Sequence, residues 1–415
     1  TLRPIKWLLR SGFKVTILAA YDFRKIPSIL GNIDIDFLNK LGKRRRWALE
    51  SIEYNNYKNN IEVLSGNLWL IWIKAFYRQR FKKVVYSNTL KDYVQNKLIK
   101  KVKFKQYSAV YVFDTFAKHF QIEARKLNVP NIFESRGMHY RYSLEVNRNL
   151  NEVYKTNVID PHFYEKEDAD PNEVAWYKKL LKEPTLADFS VFYSEFHRKI
   201  FIKYSKIEES KSCVIPLHTN VSKSHQTVGV SDSKIKFVFI GNMSYLKALP
   251  IMIEAFNITN HNDLQDMKIE LHLFGKMQLK EVEQMVKNTK GVHYHGIVEH
   301  AQLMSQLQDF HVFVFPSLLD TFGFVLPEAL QNNLPIISNY TTGSAELFDD
   351  RVHGIKCKDS YDVEELASAM QVFVKNPELV EEYSKNIADL PSINEAFIQE
   401  NYKHEIDRLL NFARG

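Results

Sequence analysis

Asp320 and Glu328 flank a small-residue turn at Gly323 in the stretch Ser317-Leu-Leu-Asp-Thr-Phe-Gly-Phe-Val-Leu-Pro-Glu-Ala-Leu-Gln-Asn-Asn-Leu-Pro-Ile-Ile337. Backbone N–H groups around Phe322, Gly323 and Phe324 can point out of such a turn. With the dipole of a following helix they make an anion site that suits phosphate oxygens. A carboxylate about one helical turn further on can accept two hydrogen bonds from a vicinal diol, as carboxylates do with ribose. Residue types and spacing therefore describe a pocket for a nucleotide-sugar.

The elements that must position these groups follow from the local pattern. The apolar run 312–315 reads as a strand that ends at Pro316-Ser317, and Pro327 suits the first turn of a new helix, which places Glu328 near a helix N-terminus. A polar loop ending Gly343-Ser-Ala-Glu346-Leu comes next. Short apolar strands alternate with helical stretches through most of the chain, which predicts α/β layers around parallel sheets. Residues 15–19, 109–113, 131–134 and 189–193 read as strands of a first domain, and 236–240, 268–274, 292–294, 312–315 and 335–338 as strands of a second. The aperiodic polar stretch after Ile215-Pro216-Leu217-His218 predicts a linker near 216–232, with domains over 1–216 and 217–392. There is no internal repeat. At the start, an amphipathic helix over 2–10 leads through Gly12 into strand 15–19 with no strand before it, the pattern expected of a truncated form.

With 415 residues, 45% of them hydrophobic and 13% aromatic, the chain can bury two ordinary cores. The lone Cys213 and Cys357 form no paired motif, which argues for a reducing, cytoplasmic setting and against a disulfide framework or a cysteine zinc site. No signal peptide is visible. The longest apolar run, Leu68-Trp-Leu-Ile-Trp-Ile73, is far below the roughly 20 residues of a spanning helix. The net charge of +7 conceals an asymmetry: residues 1–110 hold 23 Lys and Arg against 7 Asp and Glu, and the remainder 33 against 42. Lys43-Arg-Arg-Arg-Trp47 and the segment 69–83, where Trp69, Trp72, Phe76 and Tyr77 lie beside Lys74, Arg78, Arg80, Lys82 and Lys83, combine aromatic and basic groups. An anionic bilayer attracts that combination, so peripheral attachment at the inner face of a plasma membrane is expected. A solvated basic face with its aromatics in the core is the plainer account. No nucleic-acid-binding motif accompanies the charge, and nucleic acid is not expected as a partner.

The second strand set opens with Phe237-Val-Phe-Ile-Gly241-Asn-Met-Ser-Tyr-Leu-Lys247, continues through Leu271-His-Leu-Phe-Gly275 and Val292-His-Tyr-His-Gly296-Ile297, and ends in the Asp320/Glu328 loop. Taken in order over 236–357, these segments resemble the donor domain of retaining glycosyltransferases of the GT-B fold, specifically glycosyltransferase family 4. In the first half, Gly12-Phe-Lys-Val-Thr-Ile-Leu18, Val129-Pro-Asn-Ile-Phe-Glu-Ser-Arg-Gly137, Ala187-Asp-Phe-Ser-Val-Phe-Tyr-Ser194 and Val214-Ile-Pro216 are similar to it more loosely. The resemblance implies two Rossmann-like doubly wound domains facing each other across a cleft, with a C-terminal helix over 393–412 returning to the first. It implies transfer of a sugar from a UDP- or GDP-sugar to a glycan or lipid-linked acceptor, with retention and no required cofactor or metal, in the synthesis of bacterial surface polysaccharide or glycoconjugate.

By the same resemblance, Lys247 neutralises the donor diphosphate, Glu328 holds the ribose and Asp320 contacts the transferred sugar. Gly241, Asn242, Thr321, Phe322, Gly323, Phe324 and Val325 line the sugar and phosphates, and Ile297 covers the base. Several positions depart from the family pattern. The first acid is Asp320 rather than Glu, Asn242 replaces an arginine, and the first-domain His-Gly pair appears as Arg136-Gly137 with His139 two residues on, so that either Arg136 or His139 is a candidate for sugar or phosphate. Asn333 stands where glycine is usual, and tolerates a left-handed helix end before Pro335.

Alone, Lys247 would be a surface lysine, and Asp320 and Glu328 ordinary loop and helix-start acids. His293 and His295 share a strand face with His300 nearby, but no carboxylate partner is evident, so no metal site is expected. Asp34-Ile-Asp36 and Asp168-Ala-Asp170 have the Asp-x-Asp form of metal-dependent transferases, a pattern that 49 acidic residues make by chance. Two other classes share such a pocket: a GT-B-shaped isomerase or phosphorylase, and a catalytically weak nucleotide-sugar-binding partner or scaffold.

Overall fold

The computed structural model describes residues 3–19, 54–65, 98–114, 117–154, 171–219, 221–224, 226–230, 234–261 and 267–414. The Asp-x-Asp elements at 34–36 and 168–170, the basic cluster 43–47 and the aromatic-basic segment 69–83 lie outside them.

Twelve strands are described: β1 (Val15–Ala19), β2 (Ile61–Ser65), β3 (Val110–Phe113), β4 (Asn131–Glu134), β5 (Phe189–Phe192), β6 (Ser212–Val214), β7 (Lys234–Ile240), β8 (Lys268–Phe274), β9 (Val292–Gly296), β10 (Val312–Phe315), β11 (Ile336–Asn339) and β12 (Gly354–Cys357). They form a parallel pair β1-β2, a four-stranded sheet in the order β3-β4-β5-β6, and a six-stranded sheet in the order β12-β11-β10-β7-β8-β9. Every pairing in the six-stranded sheet is parallel. Two compact units can be separated: residues 1–133, 170–189 and 408–415 make one, and 134–169 with 190–407 the other.

In the six-stranded sheet, Phe237, Val238, Phe239, Val312, Phe313 and Val314 are fully buried, as near-continuous apolar strands covered on both faces must be. Phe239 stacks on Phe315 at 5.9 Å between ring centres. Helix Leu249–His261 follows β7, and its Thr259 hydroxyl donates to the Ala367 carbonyl of helix Val363–Lys375 at 3.3 Å, fixing the two helices together. Chain order explains where a ligand belongs. The chain runs from β7 to β8 and β9 on one side, then returns past β7 to β10, β11 and β12 on the other. The reversal falls between β7 and β10, and in open parallel sheets ligands bind beyond the strand C-termini at such a point.

The C-terminal helix expected as one piece over 393–412 is two, Glu395–Asn401 and Lys403–Arg414. Tyr402 leaves helical geometry at φ −114°, ψ 19°, although Tyr402 N–H still donates to Ile398 and Ile406 N–H to Tyr402. Phe412 stacks on Phe189 at 5.0 Å with Arg408 over the same ring, so the last turns of the chain pack within the first unit. Cys213 and Cys357 are both buried free thiols, and desolvation pushes the Cys357 pKa up to about 12.

Candidate functional site

Three glycine turns end β7, β8 and β9. Gly241 N–H donates to the Phe274 carbonyl at 2.9 Å, and Gly275 N–H donates to the Gly296 carbonyl at 2.7 Å. At Gly275, with φ +132°, a Cβ would stand 2.0 Å from the Gly241 carbonyl oxygen, so only glycine fits there. Met243 then bridges to Met277, which ties the segments beyond the turns as well.

Past Gly241 the chain makes a short turn, Tyr245–Lys247, closed by Ala248 in the left-handed region at φ 53°. This turn aims Lys247 at the loop after β10. Its Nζ lies 2.5 Å from Asp320 Oδ2, donates to the buried Ser317 Oγ at 3.2 Å, and sits 5.0 Å from the centre of the Phe315 ring. Leu318 N–H donates to the Leu246 carbonyl at 3.0 Å, so backbone as well as side chains joins the two loops. Asp320 is held from its other oxygen by Phe322 N–H at 3.2 Å, and its carbonyl accepts from Gly343 N–H. The structure thus joins Lys247 and Asp320 directly, on loops that follow the adjacent strands β7 and β10.

Gly323, at φ +78°, turns the chain into helix Val325–Gln331, with Pro327 and Glu328 in the first turn as the sequence predicts. Glu328 Oε1 faces His300 Nε2 at 2.9 Å; the carboxylate is well covered and the imidazole largely open to solvent. Phe322 is buried, Phe324 half-exposed, and Ile297 77% exposed. Asn242 is exposed, and Thr321 and Val325 partly so.

The first-half candidates sit differently. The Arg136 carbonyl accepts from the Thr321 hydroxyl at 3.4 Å. His139 is only 2% exposed: Arg141 N–H donates to its Nδ1 at 3.2 Å, and its Nε2 lies 2.9 Å from Ser205 Oγ. Desolvation by burial, helped by the Arg141 charge, pushes its pKa down to about 4, and it stacks on Tyr204. His139 takes part in none of the hydrogen bonds that hold Lys247, Asp320 and Glu328.

Three residues escaped the sequence reading as site residues. Ser317 completes the Lys247 contacts and His300 partners Glu328. Glu346 accepts from Glu195 N–H at 2.9 Å and Phe196 N–H at 2.7 Å, at the start of helix Glu195–Ser205, whose N-cap is Ser194. Desolvation raises the Glu346 pKa, and the two N–H bonds offset only part of that rise. Its neighbour Gly343 admits that approach, since a Cβ there would meet the Thr321 carbonyl at 2.2 Å and Ser194 Oγ at 2.5 Å. A polar loop ending Gly-Ser-Ala-Glu carried the signal, but its target lies some 150 residues earlier in the chain. The carboxylate that His293 and His295 lacked in the sequence is also present: Glu270, two residues before His272 on β8.

Against known proteins, residues 220–389 match the family model described as Glycosyl transferases group 1. An uncharacterized 41.2 kDa protein in the cps region of Klebsiella pneumoniae is 23% identical over 205 residues, which are 43% of this chain and 56% of that protein. The chain thus spans about half the length of this curated relative. Among solved structures, Anabaena Alr3699/HepE in complex with UDP and glucose is similar with TM-score 0.57 at 13% identity, over 95% of this chain and 99% of that one. Sucrose-phosphate synthase (tll1590) from Thermosynechococcus elongatus is similar with TM-score 0.56 at 16% identity, over 79% of each chain. Residues 220–389 are therefore a glycosyl transferases group 1 domain, and the chain that carries them has the GT-B fold.

Proposed function

We propose that this chain is a retaining glycosyltransferase that moves a sugar from a nucleotide-sugar to a glycan or lipid-linked acceptor. The observation that carries the reading is the Lys247–Asp320 pair at the β7/β10 reversal, with Glu328 in the first turn of the next helix. In that reading Lys247 and the amides around Gly323 meet the diphosphate, whose charge grows as the bond to the sugar's anomeric carbon breaks. Asp320 orients the sugar through its hydroxyls. The acceptor oxygen bonds to the anomeric carbon from the face the diphosphate leaves, and a donor phosphate oxygen takes the acceptor proton. Lys247 supplies positive charge at the leaving group, so this step calls on no metal ion. A UDP-sugar is the first donor to test, because the Anabaena neighbour was solved with UDP and glucose. Surface polysaccharide synthesis is the setting favoured by the relative from a cps region. Asn242, in place of a cation, favours a second reading as a weakly active nucleotide-sugar-binding partner, which would bind donor yet yield no glycosylated product.

A thermal-shift panel of nucleotide-sugars tests the donor, since ligand stabilisation rises with concentration over dissociation constant. Glu328→Gln tests the ribose role. It keeps the shape and the contact to His300 but loses the charge, and charge-assisted bonds contribute about 1.5–3 kcal/mol, so donor affinity falls roughly tenfold or more. Unchanged nucleotide binding in that variant removes Glu328 from the ribose site.

The basic first part of the chain, 23 Lys and Arg against 7 acids in residues 1–110, supports an acceptor presented at an anionic bilayer. No helix among the described residues is long and apolar enough to cross a membrane. Vesicle flotation is expected to require anionic lipid, to weaken with salt as charges are screened, and to drop when Arg78, Arg80, Lys82 and Lys83 become Ser. Equal or no binding to neutral and anionic vesicles would overturn the membrane reading and make a soluble acceptor the better one.

A further inference from the structure

The two strands at the far edge of the six-stranded sheet, β8 and β9, carry a cluster of side chains that the transfer site does not use. Glu270 and His272 are two residues apart on β8, and His293 and His295 two apart on β9, so each pair shares one face of its strand. The parallel register sets His272 directly opposite His293. The four therefore converge. Ligand atoms of Glu270, His272 and His293 all lie within 4.8 Å of one another. His272 Nε2 is 3.3 Å from Glu270 Oε2, while His272 Nδ1 is 2.9 Å from His295 Nε2. The rings of His272 and His293 stack at 4.9 Å, and those of His272 and His295 at 5.2 Å and nearly parallel. Phe310 and Phe274 pack against the same rings and wall the cluster on its inner side, whereas His293 opens to solvent and gives an ion a way in.

We propose that Glu270, His272 and His293 form a binding site for a divalent transition-metal ion of the zinc class, with His295 as the hydrogen-bond partner that orients His272. Two imidazoles and one carboxylate suit zinc and its first-row neighbours and not magnesium or calcium, which take oxygen ligands. The His272 ring is already placed for this role: one nitrogen faces Glu270, and the other faces His295, the arrangement in which a second group fixes the tautomer of a ligating histidine. Lys234 pairs with Glu270 Oε1 at 2.9 Å and leaves Oε2 turned to the imidazole. The ion would cross-link β9, the edge strand of this sheet among the described residues, to β8. It takes no part in the transfer step proposed above, since the cluster lies on the opposite side of β7 from β10 and Asp320.

The test uses the whole 415-residue chain, stripped with a chelator and dialysed. Zn²⁺ titrated by calorimetry is expected to bind one ion per chain with micromolar or tighter affinity and to raise the thermal midpoint. Co²⁺ at the same site should give visible d–d absorption that Zn²⁺ abolishes. Glu270→Gln and His293→Ala are each expected to weaken Zn²⁺ binding by at least tenfold, whereas His261→Ala, an exposed histidine elsewhere, leaves it unchanged. His293 is exposed, so His293→Ala folds even where Glu270→Gln does not. Absence of Zn²⁺ binding to the wild-type chain overturns the proposal. So does binding that survives His293→Ala, or that His261→Ala weakens equally.

Discussion

Lys247→Ala is expected to lower turnover by about 10²–10³-fold, the loss seen when one preorganised stabiliser of transition-state charge is removed. It should weaken binding of both free nucleoside diphosphate and intact donor, because in the proposed reading the charge it meets belongs to the diphosphate. Asp320→Ala behaves differently. Its carboxylate is the counter-ion of Lys247 at 2.5 Å, so removing it frees the ammonium, and affinity for free nucleoside diphosphate stays the same or rises while turnover falls. Groups in direct contact rarely act additively, so the double variant should differ from the product of the single effects. Nucleotide affinity by calorimetry, set beside kcat and KM for each variant, decides the matter. Identical losses of nucleotide and donor binding in both single variants would mean that the diphosphate and sugar roles are wrongly divided. Full turnover in Lys247→Ala would remove the reaction from this loop.

The buried histidines His139 and His197 are together expected to cost the second unit about 4 kcal/mol between pH 7 and pH 5. Burial pushes the pKa of His139 down to about 4 and that of His197 down to about 3, from an ordinary value of 6.5. Each uses both ring nitrogens as a neutral imidazole: His197 Nδ1 accepts from Tyr193 N–H, and its Nε2 donates to the Gly137 carbonyl. Both folded values are depressed, so the unfolded chain binds protons first as pH falls. Stability is therefore complete above pH 6.5 and is lost on descent toward the folded values. At pH 5 each histidine contributes a loss of about 2 kcal/mol, from about 1.4 kcal/mol per pH unit over 1.5 units. Thermal midpoints across this range measure it. His197→Gln, which can keep one donor and one acceptor, should flatten the slope; a slope unchanged in that variant, or flat in the wild type, would show that these histidines do not set the acid limit.

The local part of the site was legible because its signals are local. Strand 312–315, the Gly323 turn and Glu328 in the first helical turn all follow from residues within about one strand and one helix of each other. The pairing of Lys247 with Asp320 was not legible as a contact, since it depends on β10 returning to the side of β7 away from β8, a choice no spacing reports. For the same reason Glu270 stayed unconnected to His293: only the β8/β9 register brings them together. Strand β12 was missed because Gly354-Ile-Lys-Cys357 is short and half polar. Its place is set by β11, against which a Cβ at Gly354 would stand 2.1 Å from the Ile336 carbonyl oxygen. The single helix read over 393–412 continued a helical pattern through Tyr402, where the backbone bends while hydrogen bonding carries on across it.

The linked glycine turns after β7, β8 and β9 also bear on which positions of the proposed donor site can change. Gly241, Gly275 and Gly296 are joined through backbone groups, so no side-chain swap alters those joints, and a side chain at Gly275 collides with its neighbour's carbonyl. By contrast, the side chain just beyond each joint is exposed: Asn242, Lys276 and Ile297. Under the donor reading proposed above, a mutagenesis library aimed at new donors can therefore vary those three side chains while the backbone frame beneath them stays fixed.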